Sequence, residues 1–323
     1  MTHNTSAEHR QLVLAVNELF HDLEGEDYDD VHPEIFKRER RRWHTLLRQH
    51  AGEHKHPMTV LDLGCGTGFV AMQMDGILET GDTFVCADVS SKMLDIASAA
   101  IRKKFPGIIV RTVKLSDESL PIEPESVDIV TMNSVLHHVP DPKRLLREID
   151  RVLRLNGTLF IGHEPNIRFV KQRFLSGQAP LLHAMHPKRL LARFLRFCGV
   201  LSPLRQTASD ALTEKINAAL LERKLIQEPL TRSEIAKLVD VHSPTAGGMT
   251  RDVGFDPWNV LNATRGSLDP IMIQTYNHLG KLSGRSAILR PYERLLSMMA
   301  PKSGSTFFLV AQKSRSPQAP HHS

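Results

Sequence analysis

From Met58 to Pro165 the chain alternates short, nearly unbroken apolar runs with longer stretches whose apolar residues recur every three or four positions. The runs Thr59–Leu63, Thr83–Ala87, Ile108–Lys114, Val127–Met132 and Thr158–Gly162 predict strands. The longer stretches predict helices over about Phe69–Leu78, Ser91–Phe105 and Asp141–Leu153. Strands that are apolar on both faces and separated by helices predict a parallel sheet covered on both sides, an α/β core over residues 57–165.

The flanks carry a different pattern. In residues 1–56, Leu12, Val13, Val16, Leu19 and Phe20 recur at helical spacing. An acidic break at 24–30 follows, and Pro33 suits the first turn of a second helix running to about Gln49. From 166 to 250 the strand–helix alternation stops. Pro187–Cys198 reads as an amphipathic basic helix and Asp210–Lys224 as another. Thr231-Arg232-Ser233-Glu234 has capping-box spacing and opens a third helix. This stretch predicts a helical insertion or cap. Residues 251–313 return to the core sheet, with strands over Asn259–Thr264, Ile271–Tyr276 and Thr306–Gln312 and a helix over Leu289–Met299. The polar, proline-bearing tail 314–323 reads as disordered.

Charge changes this picture locally. The chain has 323 residues and a formal net charge of +5, yet no acidic residue lies between Glu164 and Asp210. That window holds Arg168, Lys171, Arg173, Lys188, Arg189, Arg193, Arg196 and Arg205, so the rest of the chain is net acidic. Nucleic acid is therefore not an expected partner. The 168–205 window suits a cap or lid with a basic face, with weak contact to an anionic membrane surface as a second use. The three cysteines, Cys65, Cys86 and Cys198, follow no metal or disulfide framework, which points to a cytoplasmic setting. No metal site is expected: His54 and His56 have no third ligand in view. The first residues show no charged-then-apolar leader pattern, and no apolar run reaches the ~20 residues of a membrane span.

Candidate chemistry begins at Val60-Leu61-Asp62-Leu63-Gly64-Cys65-Gly66-Thr67-Gly68-Phe69, a buried strand followed by a glycine turn that brings backbone N–H groups close to a ligand. The dinucleotide fingerprint requires glycine where Phe69 stands, and no Lys-Ser or Lys-Thr pair follows, so a Walker loop is excluded. Asp88 ends the next strand, where a carboxylate accepts both hydroxyls of a ribose. Its other reading is a charge at a helix N-terminus.

Val60–Gly68, Asp88–Leu94, Leu120–Val130, Val135–Pro142 and Arg151–Leu159, in that order, resemble the motifs of class I S-adenosylmethionine-dependent methyltransferases. The subgroup most resembled contains ubiquinone- and menaquinone-biosynthesis methyltransferases. The resemblance implies a Rossmann-like, doubly wound, mostly parallel seven-stranded sheet. It implies S-adenosyl-L-methionine as cofactor and a small-molecule acceptor, an apolar one among the options. It also implies that the helical insertion over 166–250 sits on the acceptor side. By position, Gly64, Cys65, Gly66 and Gly68 would pass under the methionyl part, with Asp62 toward its amino end. Asp88 would hold the ribose, and Val89 and Met93 would pack on the adenine. Ser116, Asp117 and Glu118 cover the adenine amino group. Asn133 would lie near the sulfonium and Tyr28 would close over the cofactor. His138 belongs to the same rim, although the His137-His138 pair recurs in the family as loop structure. His163 and Glu164, at the end of a core strand, are the candidate catalytic residues, His163 as base or acceptor contact. A catalytically idle cofactor-binding relative remains the alternative. Asp240-Val241-His242 forms a second polar cluster that matches no motif and is a candidate acceptor contact.

Overall fold

The structure is a computed structural model that describes residues 7–25, 33–51, 54–172, 208–242, 254–264, 266–280, 283 and 289–314. Tyr28, the expected basic helix Pro187–Cys198, most of the 168–205 window and the tail from 315 onward lie outside the described residues.

Seven strands form one sheet: β1 (Thr59–Leu63), β2 (Thr83–Asp88), β3 (Ile109–Lys114), β4 (Val127–Asn133), β5 (Leu153–Pro165), β6 (Leu268–Tyr276) and β7 (Thr306–Lys313). Their spatial order is β3-β2-β1-β4-β5-β7-β6. The pairs from β3 through β5 are parallel, and β7 runs antiparallel to both β5 and β6. This is the mostly parallel, doubly wound arrangement expected. The order reverses between β1 and β4, so a crevice opens at their carboxyl ends.

The period-two alternation sorts the strand side chains into two cores. Val60, Phe84, Ile129 and Phe160 face one side; Leu61, Val85, Val130 and Leu159 face the other. The first face is covered by α2 (Pro33–His50), through Trp43, Leu46 and Leu47, and by α3 (Ser91–Lys104), through Leu94, Ala97 and Ile101. The second is covered by α4 (Pro142–Val152), through Leu145, Leu146, Ile149 and Val152.

Both core helices begin where their caps dictate. Ser90 Oγ accepts from Met93 N at 3.0 Å, and Asp141 Oδ1 accepts from Arg144 N at 3.0 Å with Pro142 just behind it.

A third cluster stands beside the sheet. Helix α1 (Ala7–Glu24) packs Ala15, Val16 and Leu19 against α6 (Ala208–Glu222) and α7 (Arg232–Val239), through Ile216, Leu220, Ile235 and Val239. The capping box at Thr231–Glu234 is formed as the spacing predicts. Helix α1 is also tied to the core: Asp22 Oδ1 accepts from Ser90 Oγ at 2.5 Å, and Glu18 pairs with Lys114 and Arg223. Among the described residues, the remaining α-helices are α5 (Ile167–Lys171) and α8 (Arg290–Met299).

Two elements differ from expectation. No α-helix covers Phe69–Leu78, which folds as turns around a 3-10 segment, Ala71–Gln73. An α-helix would send Gln73 N–H to Phe69 O, but Gln73 N donates to Val70 O at 2.9 Å and the Gln73 side chain takes Phe69 O instead. The expected strand Asn259–Thr264 is a 3-10 helix, Val260–Thr264, set by Asp256 O accepting from both Asn259 N and Val260 N. Among the described residues, no helix is long and apolar enough to cross a membrane. Arg168, from the basic window, is held by Asp256 at 2.9 and 3.0 Å and stacks 4.5 Å from the Trp258 ring.

Candidate functional site

The tight turn after β1 exists because Gly64, Gly66 and Gly68 all take positive φ. A Cβ on Gly64 would meet Val135 Cγ2 at 2.5 Å, so the chain after β4 can approach only because Gly64 has no side chain. A Cβ on Gly66 would meet nothing within 4 Å, which leaves open space above that residue. Gly68 faces the Ala97 backbone of α3 at ordinary contact distance, and its φ of 89° is what favours glycine there.

That open space is a cavity at the carboxyl ends of β1, β2 and β4. Counted to its open mouth, solvent-filled space included, it measures about 1070 Å³. Of the expected site residues, Gly64, Cys65, Gly66, Asp88, Val89, Met93, Asp117, Glu118, Asn133 and His138 line it. Helix α1 adds Leu14, Asn17 and His21, which sequence reasoning missed. Their signal was available: Asn17 is polar on a face otherwise occupied by Val13, Val16 and Phe20.

Polar residues stand in the cavity wall. Asp88 is buried, and its oxygens accept from Gly66 N at 3.0 Å and Ser90 N at 2.9 Å. Burial pushes its carboxyl up to about 6, against the lowering effect of those backbone N–H groups. Asn17 gives both amide hydrogens to Val13 O and Leu238 O, while its Oδ1 has no hydrogen-bond partner. Glu118 accepts from Asp141 N at 3.0 Å through Oε1, and its Oε2 has no hydrogen-bond partner. Both atoms are buried, and Glu118 Oε2 lies 3.5 Å from Arg144 Nη1 as an ion pair. Asp62 lies behind the wall, not in it. One oxygen accepts from Thr131 Oγ1 at 2.7 Å, the other has no hydrogen-bond partner, and burial pushes the carboxyl up to about 7.

Asn133 is positioned by Trp43, whose Nε1 donates to Asn133 Oδ1 at 2.8 Å. Trp43 is fully buried against Phe308 and Phe160, and it fits because Gly162 has no Cβ. Asp117 accepts from Ser119 N at 2.8 Å and from Arg144 at 3.1 Å; against the raising effect of burial, these hold its carboxyl below the usual range. Ser116 is exposed and does not reach the cavity.

His163 and Glu164 are not brought to the cavity. Register between β5 and β7 shifts between Ile161 and Glu164, and at that irregularity His163 takes φ 58°. Its ring therefore faces α2 and β6, with Nδ1 3.4 Å from Glu39 Oε1 and its centroid 6.4 Å from the Tyr276 ring. Glu164 is fully buried and committed to the loop after β4. Its oxygens accept from Val135 N and Leu136 N at 2.7 Å, from His137 N at 3.2 Å and from His137 Nδ1 at 2.8 Å. Burial alone would raise this carboxyl; His137 and the loop N–H groups hold it below the usual range. Burial alone would lower His137; the Glu164 carboxylate raises it instead.

The same loop meets the cluster Asp240-Val241-His242. His242 N donates to His137 O at 2.9 Å, and His138 Nδ1 lies 2.7 Å from Val239 O. Burial, with His137 alongside, drops the His138 imidazole to about 4. His21 approaches it edge-on, ring centroids 5.7 Å apart.

Residues 61–161 match a family model described as a methyltransferase domain. Among curated proteins, the chain is 28% identical over 161 residues to a demethylmenaquinone methyltransferase of Lactococcus lactis, covering 49% of this chain and 63% of the relative. It is 28% identical over 159 residues to a ubiquinone/menaquinone biosynthesis C-methyltransferase of Vibrio parahaemolyticus, covering 49% and 60%. The chain thus spans about three fifths of the length of these relatives. Among solved structures, a putative-methyltransferase complex with the Haloferax volcanii Trm112 activator aligns over 90% of this chain and 99% of the other, at 16% identity and a TM-score of 0.47.

Proposed function

We propose, from the premise that residues 61–161 are a class I S-adenosylmethionine-dependent methyltransferase domain, that this chain is an enzyme moving a methyl group to a small-molecule acceptor with substantial apolar surface. The observation that carries the reading is the cavity itself. A glycine turn, the Asp88 carboxylate and the polar residues Asn17 and Glu118 line one space.

The residues present fit the cofactor. Asp88 would accept from the ribose hydroxyls, and Val89 and Met93 would pack on the adenine. Asp117 and Glu118 would take the adenine amino group. The Gly64–Gly66 backbone would run under the methionyl chain, and Asn133, held by Trp43, would stand near the sulfonium. S-adenosylmethionine, when bound, supplies an activated methyl group for in-line displacement. The protein's own work is then alignment and exclusion of water, which can lower a barrier by ~7–11 kcal/mol. Leu14, Val135, Val139, Pro140 and Leu145 form an apolar rim that supports both tasks. The relatives named for menaquinone and ubiquinone biosynthesis support an acceptor of this apolar kind. Residues 166–250 act in this reading as an acceptor-side cap: α6 and α7 back α1, and α1 closes one wall of the cavity.

Calorimetric titration with S-adenosylhomocysteine tests the assignment. Asp88→Ala removes hydrogen bonds to a charged acceptor worth ~1.5–3 kcal/mol each and should weaken binding about a hundredfold. The wild-type carboxyl ionises above about 6, so its affinity should fall as pH drops through that value, while the variant stays flat. Equal affinity of the two proteins at pH 8 would sink the ribose assignment.

A further inference from the structure

We propose that His137, His138 and Asp240 form a binding site for a first-row divalent transition-metal ion of the zinc or cobalt kind, at the edge of the cavity. One ligand atom from each residue can be chosen so that all lie within 4.8 Å of one another. His137 Nε2 is 3.7 Å and His138 Nδ1 is 3.4 Å from Asp240 Oδ1. Neither contact is a hydrogen bond: two imidazole nitrogens converge on one carboxylate oxygen without bonding it. Tetrahedral ligands at ~2.0–2.1 Å from an ion are separated by roughly 3.4 Å, close to the two spacings onto Asp240 Oδ1.

The surroundings prepare the ligands. Glu164 Oε2, fully buried, accepts the Nδ1 hydrogen of His137 at 2.8 Å and so leaves the Nε2 lone pair free on the Asp240 side. A carboxylate behind an imidazole is the arrangement that orients metal-bound histidines and raises their basicity. His138 Nδ1 lies 2.7 Å from Val239 O, so coordination through that nitrogen requires this contact to break, the carbonyl to turn aside and the proton to move to Nε2, which borders the cavity. Asp240 is partly exposed and closes the set from the end of α7. Two imidazoles with one carboxylate favour zinc, cobalt, nickel or ferrous ions over magnesium or calcium. An open coordination position would border the cavity, where an enolate or phenolate oxygen of an acceptor could be held as the anion. That use rests on the methyl-transfer reading; the ion site does not.

The test is a titration of the chelator-treated, full-length protein with Co2+, followed by visible ligand-field absorption. One equivalent should bind per chain, displaced by Zn2+ and not by Mg2+. Asp240→Asn and His138→Gln should each weaken binding about tenfold or more while keeping the wild-type circular dichroism spectrum. Absence of saturable Co2+ binding by the wild type, or unchanged affinity in both variants, would overturn the site. S-adenosylhomocysteine calorimetry on the metal-free protein separates this outcome from failure of the cofactor reading.

Discussion

Glu164 shows how a residue next to a candidate base can serve the site without touching it. Its carboxylate accepts three backbone N–H groups and one imidazole nitrogen, and thereby shapes the loop that lines the cavity through Ser134, Val135 and His138. Glu164→Ala leaves those donors and His137 without their partner inside the protein. Breaking a buried pair of this kind costs about 3–5 kcal/mol, so urea denaturation at pH 6 should show a loss of that size. The sign with pH is fixed by both partners. Glu164 is held below its ordinary 4.5, so its contribution is present above that value and is lost as acid titrates the folded group. His137 is raised above its ordinary 6.5, so its contribution is complete below that value and is lost as pH rises through the folded value. The gap between wild type and variant should therefore be widest between about 4.5 and 6.5. The proximity of Glu164 to the core strand's end was legible from sequence. Its commitment to a loop 28 residues away was not, because a carboxylate's partners depend on which strand lies beside it.

Elements whose ends are set by near neighbours were the most legible. The capping box at Thr231 is an example: Thr231 Oγ1 accepts from Glu234 N, and Glu234 returns to Thr231 N at 2.7 Å. Thr231→Ala should cost about 1 kcal/mol, seen as a lower urea midpoint with unchanged slope. Strands β1, β2, β4 and β7 follow their apolar runs to within a residue or so, for the same local reason. The two failures, at Phe69–Leu78 and Asn259–Thr264, share a cause. In each, an i to i+3 bond or a side-chain bond takes a carbonyl that the expected element needed. Apolar periodicity cannot register that competition.

At the scale of the whole molecule, the cavity depends on a cluster that never touches it. Ile216 of α6 is fully buried among Val16, Leu19 and Val239, and α1 carries Leu14, Asn17 and His21 into the cavity wall. Ile216→Ala should destabilise the protein by about 2–5 kcal/mol. It should also weaken S-adenosylhomocysteine binding, because α1 loses the support that fixes its cavity face. Calorimetry beside a urea titration checks both; full affinity in a destabilised variant would show that α1 is held by the Asp22 and Glu18 contacts alone.

The sequence by itself determined the parallel core, the glycine turn and the carboxylate at the end of β2. Each of these rests on hydrogen bonds and steric limits within a few residues, or on near-continuous apolar runs alternating with helical periodicity along the chain. Tertiary structure alone decided that His163 turns away, that α1 forms a wall, and that His137 and His138 meet Asp240 from a helix a hundred residues later. Those outcomes hang on a register shift in β5 and on how two helical clusters pack, and no local rule in the chain encodes either. The Gly64–Gly66 turn was thus read from its own residues, while the company it keeps was settled by packing.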